Sequence, residues 1–153
     1  AKMVNQICIA GLVQGLSEGL NFAMAADLDT DALLEAISGG AAQSWQMVIR
    51  GQTMGGDKFV FGLVAAWMRR DLRICREGGG RNGAPLPVTE LVAGYYDELS
   101  AAGGGRSDTS SLIRRLRKGG RHPPPGCGSP SDGVGFRLDQ RRYGPPKPML
   151  NPR

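Results

Sequence analysis

Residues 2–28 form one proline-free apolar stretch, KMVNQICIAGLVQGLSEGLNFAMAADL, in which Gly11, Gly15, Gly19 and Ala23 recur at every fourth position. That spacing stacks the four on one face of a helix. Leu12, Leu16 and Leu20 run beside them as a ridge, so the pattern predicts a smooth groove against which another helix backbone can pack closely. Each mid-helix glycine costs about 1 kcal/mol relative to alanine, so tertiary contact must offset three of them. A central helix with others wrapped around it is the expectation. Lys2, Asn5 and Gln6, three and four residues apart, share one face of its first turn.

The rest of the pattern is helical as far as residue 117. Asp29 is placed to cap a second helix over residues 30–38, with Leu33, Leu34 and Ile37 inward and Gly39-Gly40 as its stop. A third, over residues 42–50, presents Trp45 and Ile49. Residues 51–62 read as an ordered loop, with Phe59, Val60 and Phe61 alternating. A fourth helix spans residues 63–77, with Val64, Trp67, Met68, Leu72 and Cys75 apolar and Asp71 beside them. Gly78-Gly79-Gly80 is expected to break it. Pro85 and Pro87 open a fifth that packs Val88, Leu91, Val92, Tyr95 and Leu99, with Gly103-Gly104-Gly105 as its stop. Ser107 or Asp108 caps a last helix to about residue 117. The fold class is all-α, a multi-helix domain built around the long first helix.

From Lys118 the composition changes. Eight of the ten prolines and the single histidine, His122, fall in the last 36 residues, which read as a disordered tail on a 1–117 domain. The net charge of +5 also resides there: residues 1–117 carry twelve basic and twelve acidic side chains, the tail seven and two. The domain is therefore expected to lack a basic stripe, which argues against a nucleic-acid partner. A weak polyanion-binding arm and a reading-frame shift in a GC-rich gene are the two readings of the tail. In the second, a neighbouring frame beyond Lys118 would restore a short helical ending. Three distant cysteines, Cys8, Cys75 and Cys127, suit neither a disulfide framework nor a metal site, and Cys8 and Cys75 read as small core residues. Glu18, with Gln14 and Asn21, argues against a membrane span. A reduced, cytoplasmic protein is the expectation.

Lys2-Met3-Val4-Asn5-Gln6 and Ser17-Glu18-Gly19-Leu20 resemble the start of the C-terminal domain of the β-hydroxyacid dehydrogenases, which is similar to that of 6-phosphogluconate dehydrogenase. The resemblance continues through Ala36-Ile37-Ser38-Gly39-Gly40, Ala42-Gln43-Ser44-Trp45, Met68-Arg69-Arg70-Asp71-Leu72, Leu86-Pro87-Val88-Thr89-Glu90 and Asp108-Thr109-Ser110-Ser111-Leu112. It implies a relative of 3-hydroxyisobutyrate dehydrogenase or 2-hydroxy-3-oxopropionate reductase that uses NAD or NADP on a small 3-hydroxy acid or semialdehyde. It places Lys2 as the general acid/base, a task for which burial or a neighbouring cation must lower a lysine from about 10.4. Asn5, Gln6, Ser44 and Trp45 stand at substrate-binding positions, Gln6 where the family commonly has asparagine. Arg70 and Asp71 stand at the cofactor, Arg70 where the family has lysine. The bland readings stand beside these: a solvated Lys2, a polar helix start at Asn5 and Gln6, a structural Asp71 and a core Trp45. No Gly-x-Gly-x-x-Gly follows a strand, so the chain looks like the second half of an enzyme whose dinucleotide-binding half is encoded upstream. A homo-oligomer joined through the helical domain is expected; a non-catalytic assembly module using the glycine groove is the rival.

Overall fold

A computed structural model describes residues 1–60 and 62–117; the tail, and with it every expectation for residues 118–153, lies outside the described residues. The order is α1 (Lys2–Ala25), α2 (Thr30–Ile37), α3 (Trp45–Gly55), α4 (Ala65–Asn82), α5 (Pro87–Ala101), two 3₁₀ turns, η1 (Gly104–Arg106) and η2 (Thr109–Leu112), and the single turn α6 (Ile113–Leu116). Among the described residues there is no strand, only an isolated bridge between Val64 and Asp108. The all-α architecture stands.

Helix α1 is the axle, but on a different face from the one the glycines mark. Gln6, Ala10, Val13, Ser17, Leu20 and Ala23 are buried at helical spacing. Ala10 and Val13 join a core with Met68 and Leu72 of α4 and Val92, Tyr96 and Leu99 of α5. Leu20 joins a second core with Leu34, Met47, Met54, Phe59 and Ile113. One helix therefore spans both cores. Small side chains on the buried face bring the neighbours close, and Ser17 is satisfied by donating to its own Val13 carbonyl at 2.7 Å. By length and composition α1 could also cross a membrane. Its Gln6, Gln14 and Ser17 are nevertheless enclosed by the bundle.

The glycine stripe is open. Gly15 and Gly19 are exposed, and a Cβ on either would meet nothing within 4 Å. Close backbone packing against this stripe is not made by the described chain. What lies there is a groove of ≈ 440 Å³ between α1, α2 and the start of α3.

Several helix limits and faces also differ from the sequence pattern. Helices α1 and α3 end in left-handed aspartates, Asp27 (φ 56°) and Asp57 (φ 55°), followed by Leu28 N–H to Ala23 O and Lys58 N–H to Thr53 O, both 2.9 Å. These are Schellman ends with aspartate where glycine is usual. Helix α3 accordingly begins three residues later than expected and runs through residues 51–55. It buries Gln46, Met47, Arg50, Gly51 and Met54, leaving Trp45 and Ile49 exposed. Helix α4 continues through Gly78-Gly79-Gly80 and stops at Gly83 (φ 73°). Gly79 is needed there: a Cβ would lie 2.9 Å from both the Ala84 carbonyl and Leu86 as the chain turns back. Trp67 on α4 and Val88 and Leu91 on α5 are exposed; α5 buries Thr89, Val92, Ala93, Tyr96 and Leu99. Cys8 is exposed and Cys75 buried. The caps at Asp29 and Asp108 form as the pattern predicts.

A buried ion pair closes the fold. Arg50 of α3 donates Nε to Asp108 Oδ1 at 2.8 Å and a terminal nitrogen to Oδ2 at 3.1 Å, with 8% and 0% of the two side chains exposed. Burial pushes the Asp108 carboxyl up, but the hydrogen bonds from Arg50 and Ser110 outweigh it and hold it below the ordinary carboxylate range. A depressed carboxylate stabilises the fold above its unfolded pKa and loses that contribution as pH falls through the folded value. Wild-type stability should therefore decline below about pH 4. Asp108→Asn, which strands the Arg50 charge, should cost about 3–5 kcal/mol in urea unfolding at neutral pH and flatten the acid limb. Gly15→Ala tests the open stripe: thermal unfolding should show a gain of about 1 kcal/mol, and a loss would mean that the stripe is covered.

Candidate functional site

Helices α1 and α4 run antiparallel, so the first turn of α1 meets the middle of α4. Gln6 donates Nε2 to Asp71 Oδ2 at 3.0 Å and approaches Met68 Sδ at 3.4 Å. Asn5 donates Nδ2 to Gln6 Oε1 at 2.9 Å. Lys2 Nζ lies 3.5 Å from Asp71 Oδ1, and Arg70 approaches the same oxygen at 3.4 Å. The structure thus brings together Lys2, Asn5, Gln6, Arg70 and Asp71, five of the seven residues singled out in the sequence.

Exposure divides the group sharply. The Asp71 side chain is 7% exposed, Lys2 72% and Arg70 56%. A buried carboxylate needs partners, and this one has an amide and two cations. The cations are held from below by one acceptor and keep their outer sides free. The arrangement presents an ammonium, a guanidinium and the Asn5 amide on one surface. Such a surface can donate hydrogen bonds or a proton to a carboxylate, hydroxyl or carbonyl laid against it.

Beneath the cluster is a cavity of ≈ 40 Å³ lined by Lys2, Met3, Gln6, Asp71, Ile74 and Cys75. The Cys75 thiol donates to the Met3 carbonyl at 3.5 Å. Burial pushes this thiol up, and the Asp71 charge adds to that, with Lys2 opposing. Cys75 thus lines the cavity as a buried thiol held towards its protonated form. Sequence reasoning placed it in the core but not against Lys2; its position four residues after Asp71 was the available signal.

Ser44 and Trp45 are not brought to this cluster. Ser44 caps α3, its Oγ accepting from Met47 N–H at 3.1 Å, and lines the open groove with Gly11 and Gly15. Those glycines lie nine and thirteen residues along α1 from Lys2, about 14–20 Å at 1.5 Å per residue. Trp45 is exposed and stacks over Arg50, whose guanidinium carbon is 5.1 Å from the ring centroid. No group of three or more His, Cys, Asp or Glu side chains suited to a metal ion occurs among the described residues.

Comparison with known proteins shows the family. Residues 1–116 match the family model described as NAD-binding of NADP-dependent 3-hydroxyisobutyrate dehydrogenase. A Shewanella frigidimarina protein named an uncharacterized oxidoreductase is 56% identical over 117 residues, 76% of this chain and 40% of that protein. A probable mitochondrial 3-hydroxyisobutyrate dehydrogenase-like protein of Arabidopsis thaliana is 38% identical over 118 residues, 77% of this chain and 35% of its own length. The chain thus spans about two fifths of the curated relatives it matches. Among solved structures, a Mycobacterium tuberculosis 3-hydroxyisobutyrate dehydrogenase with L-serine superposes with a TM-score of 0.70 at 23% identity, covering 76% of this chain and 42% of that one. At that identity the likeness shows the fold.

The two described cysteines should differ in reactivity. With a maleimide at neutral pH, Cys8 should label rapidly in the folded protein, and Cys75 only after unfolding, as read by peptide mass spectrometry.

Proposed function

Because the chain belongs to the NADP-dependent 3-hydroxyisobutyrate dehydrogenase family, we propose that it forms the helical, substrate-facing part of a dehydrogenase of small 3-hydroxy acids or semialdehydes. The observation that carries this reading is the joint placement of Lys2, Asn5, Gln6 and Arg70 around buried Asp71. NAD or NADP, held mainly by a glycine-rich domain that is not among the described residues, would supply or take the hydride.

The chain's own residues then have simple tasks. Lys2 gives a proton to the carbonyl oxygen during reduction, or receives one from the hydroxyl during oxidation. Asp71 fixes where the Lys2 ammonium rests and contacts Arg70 at the same oxygen, 3.5 and 3.4 Å away. Asn5 and Gln6 orient the substrate's polar groups, and Arg70 offers a charge to the cofactor's nicotinamide end. Ser44, at the far groove, and Trp45, beside it and over Arg50, would contact a ligand only if it extends along α1. Asp71 is best understood as a positioning residue, since its oxygens face protein donors.

The open groove at Gly11, Gly15 and Gly19 favours one addition to this reading, assembly into a homo-oligomer through the helical unit.

Two assays test the proposal. In the intact protein, with its dinucleotide-binding domain, Lys2→Ala should lower kcat by about 10²-fold or more on 3-hydroxyisobutyrate or tartronate semialdehyde; an unchanged kcat removes Lys2 from the mechanism. The 153-residue chain alone should show no turnover, because it contains no glycine-rich pyrophosphate turn.

A further inference from the structure

The exposed face of α4 carries a row of arginines that the neutral overall charge of residues 1–117 conceals. Arg69, Arg70, Arg73 and Arg76 line a groove of ≈ 320 Å³ between α4 and α5, floored by Ala66 and Ala93, with Asp97 on its far wall. The expectation of no basic stripe in this domain is therefore corrected: four of the twelve acids, Asp27, Asp29, Asp31 and Glu35, lie around α2, and those nearer the row, Asp71, Glu77, Glu90 and Asp97, border it without breaking it.

Arg73 is the centre of the row. Arg69, Arg70 and Arg76 are four, three and three residues away, so each is its helical neighbour and each repels it; Glu77, four residues on, is its one acidic helical neighbour and makes no ion pair with it among the described residues. Arg69 pairs with Asp97, Arg76 with Glu90 at 3.1 Å, and Arg70 with Asp71. Arg73 makes no ion pair or hydrogen bond among the described residues. The Asp97 and Glu90 pairs are exposed at both members. Pairs of that kind contribute little and exchange readily with a competing anion. The helix thus holds four guanidinium forks in one row, a geometry suited to bidentate contact with phosphate oxygens.

We propose that this groove is a binding site for a compact phosphate-bearing ligand, with Arg73 as its central contact. The length argues for compactness: Arg69 to Arg76 spans about 10 Å along the axis, enough for one diphosphate group. Asp97 and Glu90 on the α5 side bound the positive strip and oppose a polyanion that would run beyond it. The site is distinct from the Asp71 cluster and stands without the dehydrogenase reading; only Arg70 borders both. The phosphate group could belong to a dinucleotide or to a separate phosphorylated metabolite.

Isothermal titration of the full 153-residue chain with inorganic pyrophosphate at low salt tests the site directly. Binding should weaken about tenfold or more in Arg73→Gln and further in Arg73→Glu, with circular dichroism unchanged. Arg81→Glu, on the last turn of α4 outside the groove, and Arg141→Glu, in the basic tail, should retain wild-type affinity. Displacement of pyrophosphate by NAD or NADP would identify the dinucleotide as the source; binding undisturbed by either would identify a free phosphorylated ligand. No pyrophosphate binding by the wild type, or binding lost in Arg141→Glu and kept in Arg73→Glu, overturns the proposal. Because the readout is binding, neither result depends on turnover.

Discussion

The fold depends most on the carboxylate of Asp108. It accepts from Arg50 through both oxygens and from the Ser110 N–H and hydroxyl at 2.9 and 2.6 Å. Arg50 in turn donates to Gln46 at 2.8 Å, so α3 is bound to the start of η2 through a filled set of hydrogen bonds. The surrounding backbone is tied in at the same place: Asp108 N–H to Phe59 O and Thr109 N–H to Leu63 O, both 2.9 Å, and Ala65 N–H to Ser107 O at 2.8 Å. The Tyr96 hydroxyl donates to the Thr109 carbonyl at 3.0 Å, which brings in α5. Gly62, at φ 73°, completes the site, because any Cβ there would collide with Asp108 Oδ2. A buried ion pair adds little net stability over a well-packed apolar pair, yet losing one partner is severe. Its role here is to fix where four segments meet.

That junction also sets the candidate site. The Ala65 N–H bond to Ser107 anchors the first turn of α4, and Asp71 sits less than two turns further along the same rigid helix. Helix α1, buried against α4 on its Gln6, Ala10 and Val13 face, delivers Lys2 to that carboxylate. The site is thus made by two helices whose mutual position is decided by packing rather than by loops. Arg114 and Arg117 act similarly at the other end, where Arg114 grips Asp57 through two bonds of 3.0 Å and holds that carboxyl below its ordinary range. This fastens α6 to the end of α3.

The helical class, the Asp29 and Asp108 caps and the proline start of α5 were legible because each rests on a local rule. The cluster of Lys2, Gln6 and Asp71 was legible only through resemblance; spacing within one helix cannot say which residue of another it will meet. The faces failed where polar residues are buried. Gln46 and Arg50 look like solvent positions, so the pattern assigned α3's inner face to Trp45 and Ile49, although Arg50 finds its partner 58 residues away. Triple glycine reads as a helix break at residues 78–80, yet helical geometry there lets Met3 and Leu86 pack against a bare backbone. The aspartates at Asp27 and Asp57 hid two helix ends because that conformation costs a non-glycine residue about 1–2 kcal/mol, so they are rare signals.

Charge is the property that composition describes least well. Twelve acids and twelve bases in residues 1–117 sum to zero, but they are unevenly placed: four carboxylates and no base lie around α2, whereas α4 carries five arginines against Asp71 and Glu77. A helix that repeats like charges at three and four residues raises its own energy. Such a row is tolerable only where neighbouring acids or a bound anion relieve it. On α4 the acids of α5 relieve Arg69 and Arg76, while Asp71 relieves Arg70 from the other side. The same carboxylate therefore serves two surfaces, anchoring Lys2 on one and the edge of the arginine row on the other. An anion that drew Arg70 outward would leave Lys2 as the nearer cation to Asp71, coupling the groove to the candidate site through a single carboxylate.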